Sequence, residues 1–458
     1  MTQSNNNFLY SYEDECISYK SLFPIFSIDD FNELDKIFDQ LGIDTEINKL
    51  FSGYKINTTE DQAALHHLYR STYGENISNV SSHLYEIAKS SLEQCISLKA
   101  KLLENNIKNI VTIGIGGSFE GPKLLLETLT QKYDRSFNHI FLTGPDTQEF
   151  IDEIEPLNKE ETFFIVSSKS FSTDETMQSL SLARNWIGAD FEFKDHFICI
   201  TSQPEKSKAF GFDNTSTIQF PNEIGGRYSL WSPISLAAIL ELEGDFIDFL
   251  IGGSKADNNL NSNSDYLEFI KTIVFSDIWH NNFDDRHVRV LLAYSWKLRF
   301  FSDYIQQLEM ESIGKSANPK SLFKKTGQII FGGFGSTAQH SYYQLLHQGT
   351  ASFCADIISV ETDKKNNELL FAQSQAQAKL LAFGADAGLK DHEKVNGQSP
   401  VNLFSLKELN AYNLGYLIAS WEHRVFLTSK MLEINPFDQY GVSAGKIFAR
   451  KYLDNNGG

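Results

Sequence analysis

The densest group of hydrogen-bonding side chains follows an apolar run, residues 163–166, and reads SSKSFSTDET over residues 167–176. Hydroxyl groups and backbone N–H groups at the start of a helix can hold a phosphate dianion without a metal ion. Ser172 and Glu175 fit a capping box, so helix structure alone explains one hydroxyl and this glutamate. The alternative to a phosphate site is an ordinary capped loop. The remaining hydroxyls exceed what one cap needs, and they favour a phosphate site. They belong to Ser167, Ser168, Ser170, Thr173 and Thr176.

A glycine loop, GIGGS at residues 114–118, lies one strand–helix unit earlier in the chain. Glycines let the backbone turn sharply and approach a ligand closely. The helix predicted to begin near Gly121 adds N–H donors and the positive end of its dipole. The structural alternative is a strand-to-helix turn that needs glycine only for its shape. The spacing allows both loops to flank one ligand.

Three later stretches place functional groups beside glycines. Arg227 follows two glycines, and its permanent charge and fixed donors suit a developing oxyanion, although a surface salt bridge is the plainer explanation. A glycine-rich turn at residues 332–335 precedes His340, and Gln439 and Lys446 lie on either side of Gly441. These groups are candidates for binding and proton transfer.

The composition limits the classes of function. The chain has 458 residues, a formal net charge of −19, 41% hydrophobic residues and 22% charged residues. The acidic balance argues against nucleic acid as a partner, but it permits a local basic pocket for one small anion. The four cysteines show no CxxC spacing, so we expect buried free thiols in a reducing cytoplasm. Apolar runs are too short for a membrane span, and we expect no signal peptide, metal or cofactor.

The pattern changes from helical to alternating near residue 105. Residues 1 to about 95 are predicted to be helical, including a helix over residues 56–70 that carries His66 and His67, a pair typical of packing rather than of a metal site. Strands and helices then alternate, which indicates an α/β fold with parallel sheets covered by helices on both faces. Strands are predicted at residues 110–113, 139–143, 162–167, 197–201, 288–294, 328–331 and 352–360.

Seven ordered blocks closely resemble the glucose-6-phosphate isomerase (phosphoglucose isomerase) family. They read IGIGGSFEGP, SSKSFSTDETM, GGRYSLWSPISL, MESIGK, AQHSYYQLLHQGT, ASWEHRVF and PFDQYGVSAGK. The resemblance runs from about residue 50 to the end of the chain, and the chain resembles the longer branch of the family with a shortened N-terminus.

The resemblance implies a particular domain organisation. We expect two sugar-isomerase (SIS) type α/β/α sandwich domains with parallel sheets, together with helical ends, in a homodimer with sites at the subunit interface. The expected boundaries are an N-terminal helical region at 1–100, a first SIS domain at 101–245, a second at 246–430 and a C-terminal helical tail at 431–458.

The resemblance also implies the reaction, which is the metal-free interconversion of glucose 6-phosphate and fructose 6-phosphate through ring opening and a cis-enediol. Arg227 then stabilises the intermediate and Lys446 assists ring opening. The residues implied in binding the sugar phosphate are Gly117, Ser118, Ser168, Lys169, Ser170, Thr173, Thr176 and Gln439.

Two positions depart from the family. Its general base is a glutamate in WGEPGTNGQH, whereas FGGFGSTAQH here places Gly333 at that position. Its ring-opening histidine has no counterpart, and the nearest matches are Asp363 and Lys364. The residues left as candidate bases are Glu175, Glu361 and His340, and each has a structural explanation as well: a helix cap, a solvated strand end and helix packing.

Three functions therefore stay open. The first is a working isomerase in which another group supplies the base, and the second is a catalytically inactive sugar-phosphate-binding protein. The third is an isomerase of a different sugar phosphate. A sugar-phosphate-responsive transcription regulator fits poorly, because the acidic N-terminal 95 residues lack a basic helix-turn-helix segment.

Overall fold

A computed structural model describes residues 9–24, 26–75, 79–386 and 388–456, without the side chains of the last two. Two β-sheets form the framework. The strands are β1 (Ser11–Glu13), β2 (Ile17–Leu22), β3 (Asn109–Ile113), β4 (Asn138–Leu142), β5 (Thr162–Ser167), β6 (Phe197–Thr201), β7 (Thr217–Gln219), β8 (Val288–Ala293), β9 (Ile329–Phe334), β10 (Cys354–Val360) and β11 (Val401–Leu406).

Helices fill the connections between the strands. The α-helices are α1 (Ile28–Gln40), α2 (Ile43–Phe51), α3 (Leu68–Tyr73), α4 (Ser82–Glu104), α5 (Glu120–Leu129), α6 (Thr147–Glu153), α7 (Asp174–Ile187), α8 (Phe193–His196), α9 (Pro204–Lys208), α10 (Leu236–Leu242), α11 (Gly244–Ser262), α12 (Ser264–Asn282), α13 (Phe301–Ile305), α14 (Glu311–Ile313), α15 (Gly335–Gln339), α16 (Tyr343–Gln348), α17 (Asp363–Asn366), α18 (Glu368–Phe383), α19 (Ala411–Met431) and α20 (Tyr440–Asn456).

Shorter helical turns complete the secondary structure. A π-helix, Gln306–Met310, joins α13 to α14. The 3-10 turns are Gly116–Ser118, Lys159–Glu161, Gly226–Trp231, Pro233–Ser235, Trp296–Leu298 and Asp391–Glu393. No helix of the described ranges has the length and apolarity needed to cross a bilayer.

The first sheet has five parallel strands in the order β4-β3-β5-β6-β7. Its strands are apolar on both faces. Phe163 and Ile165 of β5 belong to the central core, whereas Phe164 and Val166 pack on the opposite face beneath α7. Burial on both faces is typical of a parallel sheet between two helix layers, and it confirms the predicted α/β class.

The second sheet has the order β1-β2-β11-β10-β8-β9. Strands β8 to β11 are parallel, but β1 and β2 form an antiparallel hairpin at the edge, with β2 against β11. The turn of this hairpin is held by Asp14, whose Oδ1 accepts hydrogen bonds from the backbone N–H groups of Cys16 and Ile17 at 2.8 and 2.9 Å. The expectation of an entirely helical N-terminal region was wrong for this hairpin, because its pairing partner lies almost 400 residues later.

Helix α19 lies at the centre of the molecule, packed mainly on α11. Nearly all of its residues are buried, including the charged Glu422 and Arg424. Buried charges need partners, and Arg424 donates to Asp277 and Asp356 while Glu422 accepts from Arg70 and from the indole of Trp231. The four cysteines are free and buried, as expected.

The helix predicted over residues 56–70 was wrong in its first three turns, because α3 begins only at Leu68. Residues 56–67 form turns, with a bridge between Asn57 and Gln62 and a positive φ of 50° at Asp61. Tertiary bonds replace helical ones here, since the hydroxyl of Thr59 donates to Asp438 Oδ2 at 2.7 Å. The segment is shaped by its contact with the C-terminal part of the chain.

Candidate active site

A cavity of about 620 Å³ opens at the carboxyl ends of β3 and β5. The strand order reverses between these two strands, because β4 lies beside β3 on one side and β5 beside it on the other. Ligands of open parallel sheets bind at such a switch point. The volume lies within the range of small-molecule sites.

All ten residues predicted to bind or act on the substrate line this one cavity, although they come from four separate stretches of the chain. They are Gly117, Ser118, Ser168, Lys169, Ser170, Thr173, Thr176, Arg227, Gln439 and Lys446.

The hydroxyl-rich loop contributes buried polar atoms that have no partner. The Oγ atoms of Ser167 and Ser168 lack a hydrogen bond among the described residues, and so does one oxygen of Glu175. The expected capping box was wrong. Helix α7 begins at Asp174 with Thr173 as its uncapped N-cap, and Ser172 Oγ lies 3.0 Å from Ser170 Oγ instead. The start of α7 therefore does not engage these side chains as helix caps.

The glycine loop packs its backbone directly against the Arg227 loop. A Cβ atom at Gly117 would lie 2.0 Å from the carbonyl oxygen of Gly226, so no other residue fits there. Gly116 has a positive φ of 59°, and its position faces the side-chain amide of Gln307. The glycines thus serve close approach between two loops as well as access for a ligand.

Arg227 is buried and uses all five of its N–H donors. Its Nε donates to Ser312 Oγ at 2.6 Å, and its Nη2 donates to the carbonyl oxygens of Pro436 and Asp438, the latter at 3.0 Å. The Nη1 atom donates to Gln439 Oε1 at 2.9 Å and to Glu311 Oε2 at 3.2 Å. The alternative of a surface salt bridge was wrong, since the side chain is only 2% exposed.

The π-helix and the first residue of α14 contribute two cavity residues that the sequence did not point out, Gln307 and Glu311. Gln307 Nε2 lies 3.4 Å from Glu311 Oε2, and Gln307 Oε1 is buried with no hydrogen-bond partner in the ranges that the structure describes. The only sequence signal was the block MESIGK, in which no residue had an assigned role. A π-turn has no compositional signature, although such turns are frequent at functional sites.

Lys446 reaches the cavity from α20, whose residues are exposed along the described part of the helix. A bidentate ion pair connects α20 to the first turn of α7: Arg450 Nε and Nη2 lie 2.8 and 2.6 Å from the two carboxylate oxygens of Asp174. This pair, together with the contacts of Gln439, places the lysine opposite the hydroxyl-rich loop.

The cavity is locally basic although the chain is acidic. Four cations, Lys169, Lys206, Arg227 and Lys446, face three glutamates in its lining. Burial lowers the pKa of Lys169, an effect that nearby Glu60 opposes. The described residues contain no group of three or more His, Cys, Asp or Glu side chains placed to hold a metal ion.

The positions that depart from the family lie elsewhere. Gly333, in β9, has a positive φ of 140° and does not line the cavity. Asp363 lines a separate cavity at the carboxyl edge of the second sheet, and Lys364 lies 3.8 Å from Glu361. Two of the candidate bases are also outside the site: Glu361 accepts a hydrogen bond from Ser18, and His340 is exposed. Only Glu175 of the original candidates reaches the cavity.

Comparisons with known proteins agree with the sequence resemblance. The curated glucose-6-phosphate isomerase of Syntrophus aciditrophicus (strain SB) is 34% identical over 448 residues, covering 91% of this chain and 82% of the relative. That of Shewanella sediminis (strain HAW-EB3) is 32% identical over 458 residues, covering 92% and 84%.

The fold has a solved counterpart. The crystal structure of a glucose-6-phosphate isomerase from Chlamydia trachomatis D/UW-3/Cx matches with a TM-score of 0.88 and 23% identity, covering 97% of this chain and 89% of that one. A family profile described as phosphoglucose isomerase matches residues 27–457. The profile covers almost the entire chain, and the curated relatives exceed 30% identity over most of both sequences. The chain therefore belongs to the phosphoglucose isomerase family.

Proposed function

We propose that the protein interconverts glucose 6-phosphate and fructose 6-phosphate in the cavity at the carboxyl ends of β3 and β5. The observation that carries this proposal is a set of buried polar atoms that line this cavity and have no hydrogen-bond partner in the described part of the chain. They are Ser167 Oγ, Ser168 Oγ, Glu175 Oε2 and Gln307 Oε1. Buried polar groups are normally hydrogen-bonded, so a polyhydroxylated, phosphorylated ligand suits this lining.

The phosphate group binds to the hydroxyl-rich loop. Ser168, Ser170, Thr173 and Thr176 supply hydroxyl donors there, Lys169 supplies charge, and the first turn of α7 adds N–H groups and a positive dipole end. The sugar then extends past Gly117 and Ser118 toward Gln439 and Arg227. This orientation brings the carbonyl end of the sugar to the guanidinium.

The chemistry requires ring opening and then a proton transfer between C2 and C1. Lys446 assists ring opening, because its ammonium can donate a proton to the ring oxygen. Arg227 stabilises the negative charge of the enediolate through its buried, permanent charge. Since its five donors are already used, it acts on the intermediate by exchanging a partner of Nη1 or by charge alone.

We further infer a homodimer in a reducing cytoplasm. The exposed side chains of α20 include several large apolar ones, and a helix face of this kind suits a protein interface. They are Val442, Ile447, Phe448, Tyr452 and Leu453, each more than half exposed. Light scattering coupled to size exclusion tests the dimer. The four free, buried thiols fit the compartment.

A coupled spectrophotometric assay with fructose 6-phosphate tests the activity. The proposal predicts turnover that scales with enzyme concentration. The competing function, an inactive sugar-phosphate-binding protein, is favoured by the glycine at position 333 and by the lack of a histidine where the family has its ring-opening histidine, the nearest matches being Asp363 and Lys364. It predicts binding of fructose 6-phosphate with no turnover above background. An isomerase of another sugar phosphate would turn over that sugar in preference when the substrates are compared.

A further inference from the structure

Three glutamates line the cavity, and the surroundings of their carboxylates differ. Glu60, Glu175 and Glu311 are its only acidic lining residues in the described part of the chain, and no histidine lines it there. Isomerisation through an enediolate needs a base that reaches the carbons beside the carbonyl group. The contacts of each glutamate show which of them is placed to do so.

Glu60 belongs to the phosphate side of the cavity. It is exposed, and its Oε2 accepts hydrogen bonds from Asn57 Nδ2 at 2.8 Å and from Gln62 Nε2 at 2.6 Å. It lies close enough to Lys169 for its charge to oppose the lowering of that lysine's pKa by burial. None of the hydrogen bonds that Glu60 makes among the described residues goes to Arg227 or Gln307, so we place it on the phosphate side rather than at the carbonyl end of the sugar.

Glu175 also lies at the phosphate side. It is in the first turn of α7, between Thr173 and Thr176. In a hexose 6-phosphate the phosphate is carried on C6, whereas the protons that move are on C1 and C2, at the other end of the carbon chain. A base in the phosphate-binding turn does not meet these carbons when Arg227 holds the carbonyl end.

Glu311 lies at the Arg227 end of the cavity. Its Oε2 accepts from Arg227 Nη1 at 3.2 Å and lies 3.4 Å from Gln307 Nε2. Its Oε1 makes no hydrogen bond within the described ranges, and the side chain is 24% exposed. One oxygen is therefore fixed against the guanidinium, and the other is available to a ligand.

The backbone that carries Glu311 is held firmly. Glu309, two residues before Glu311, lies inside the π-helix and is only 2% exposed. Its carboxylate accepts hydrogen bonds from Trp421 Nε1 at 2.5 Å and from Arg289. The π-helix and the first residue of α14 bring Gln307 and Glu311 to the cavity together. Gln307 Oε1, which is buried without a hydrogen bond among the described residues, lines the same cavity and suits a ligand. A carboxylate fixed in this way is pre-organised for proton transfer.

We propose that Glu311 is the general base of this enzyme, an assignment that rests on the proposed isomerase function. Its carboxylate removes the C2 proton of the open-chain aldose, and the C–H electron pair becomes the C1–C2 double bond. The carbonyl π electrons move to O1, which becomes the enediolate oxygen. Glu311 then returns its proton to C1, and the proton of the C2 hydroxyl moves to O1 as C2 becomes the carbonyl carbon of the ketose.

The ion pair with Arg227 supports this step rather than opposing it. Before the transfer the guanidinium faces the negative carboxylate of Glu311, and after it the carboxyl group is neutral and the negative charge is on the enediolate. The charge moves between two oxygens that face the same buried cation. The positive charge is therefore already oriented when the intermediate forms, with little reorganisation.

The test compares the wild-type enzyme with E311Q, which keeps a hydrogen-bond acceptor for Arg227 but cannot take a proton. We expect kcat for glucose 6-phosphate to fall by roughly 10²- to 10⁴-fold, and exchange of the C2 proton with D₂O to fall equally. The Kd for 5-phospho-D-arabinonate should stay within about threefold of wild type. The matched control E361Q, whose carboxylate pairs with Lys407 outside the cavity, should keep wild-type kcat.

A second variant, E311A, removes the carboxylate altogether. Added formate should restore part of its turnover, a rescue that a merely structural glutamate does not show. E311Q turnover within about threefold of wild type, or loss of analogue binding in step with kcat, overturns the assignment while leaving the isomerase function in place. A wild-type protein that converts neither sugar refutes the proposed function and the base assignment with it.

Discussion

Arg227 Nη1 lies 2.9 Å from Gln439 Oε1, which joins the loop after the first sheet to the turn that begins the C-terminal helix. The same guanidinium donates to the carbonyl oxygens of Pro436 and Asp438. One side chain thus contacts the tail that carries Lys446 and places a buried positive charge in the cavity. Under the proposed function, its structural and chemical roles depend on the same five donors.

Replacing Arg227 by lysine should damage both roles. Lysine has three donors on one nitrogen and cannot reproduce the planar contacts. We expect kcat to fall by roughly 10²- to 10³-fold, and the free energy of unfolding to fall by about 1–3 kcal/mol for each buried carbonyl oxygen left unpaired. Steady-state kinetics and urea unfolding measure the two effects. R299K, which alters an arginine paired with Glu127 outside the cavity, is the control. Wild-type kcat in R227K would remove Arg227 from the mechanism.

The glycine loop offers a comparison of two adjacent positions. A Cβ at Gly117 would lie 2.0 Å from the carbonyl oxygen of Gly226, whereas a Cβ at Gly226 has no atom within 4 Å. G117A should therefore push the two loops apart, lower the melting temperature and abolish turnover, while G226A should fold with nearly wild-type stability. Thermal unfolding and the isomerase assay check both variants. Equal stability of the two would show that the loops are not in tight contact.

If the hydroxyl-rich loop binds the phosphate group, loss of its hydroxyls should weaken substrate binding. S170A and T173A each remove a hydroxyl from the cavity lining. A hydrogen bond to a charged group contributes about 1.5–3 kcal/mol, so we expect the Kd for fructose 6-phosphate to rise roughly 10- to 100-fold. Calorimetric titration measures it, with S97A on the exposed face of α4 as the control. Unchanged affinity in both variants would place the phosphate elsewhere.

Lys446 lies on the exposed helix α20, so we expect its replacement to leave folding intact. We expect K446A to reduce turnover by roughly 10²- to 10⁴-fold, with an unchanged melting temperature, because the side chain is exposed. K451A, on the same helix but near Phe448, should be close to wild type. If K446A retains full turnover with a substrate whose ring must open, the lysine has no part in ring opening.

The pH dependence of binding should report on Lys169. Burial lowers its pKa below the usual value of 10.5, so its positive charge is present at lower pH and is lost as the pH rises through the lowered pKa. The phosphate stays a dianion above about pH 6. The affinity for fructose 6-phosphate should therefore begin to fall at a lower pH than it would if the lysine had its usual pKa. K169R, which stays charged, should bind with a flat profile over the same range. Identical profiles for both proteins would show that Lys169 does not contact the phosphate.

The sequence predicted the parallel strands β3 to β6 and β8 to β10, because their apolar runs are local features, but it did not predict β7 and β11. It predicted the ten cavity residues because they fall in blocks of a known family. The hairpin of β1 and β2 was not predicted, because its position depends on pairing with β11. The turns of residues 56–67 were not predicted for a similar reason, because they depend on contacts such as that of Thr59 with Asp438, far along the chain.

The candidate site also combines features that are visible in the sequence with features that only the fold creates. The sequence shows that residues 167–176 are rich in hydroxyl groups, but only the structure shows that the oxygens of Ser167 and Ser168 are buried and have no hydrogen bond to another described residue. Glu311 was not a candidate base from the sequence, because its proposed role depends on the π-helix that precedes it and on its distance to Arg227, neither of which has a sequence pattern. The candidates Glu361 and His340 looked equivalent in sequence and were separated from Glu175 only by their position in the fold.

The most direct measurement is proton NMR of glucose 6-phosphate in D₂O with the purified wild-type protein. An active isomerase predicts that fructose 6-phosphate signals appear and that the C2 proton of the remaining glucose 6-phosphate is replaced by deuterium, at rates proportional to protein concentration. Absence of both product and exchange, in a protein that still binds fructose 6-phosphate by calorimetry, would contradict the account and leave a sugar-phosphate-binding protein without catalysis.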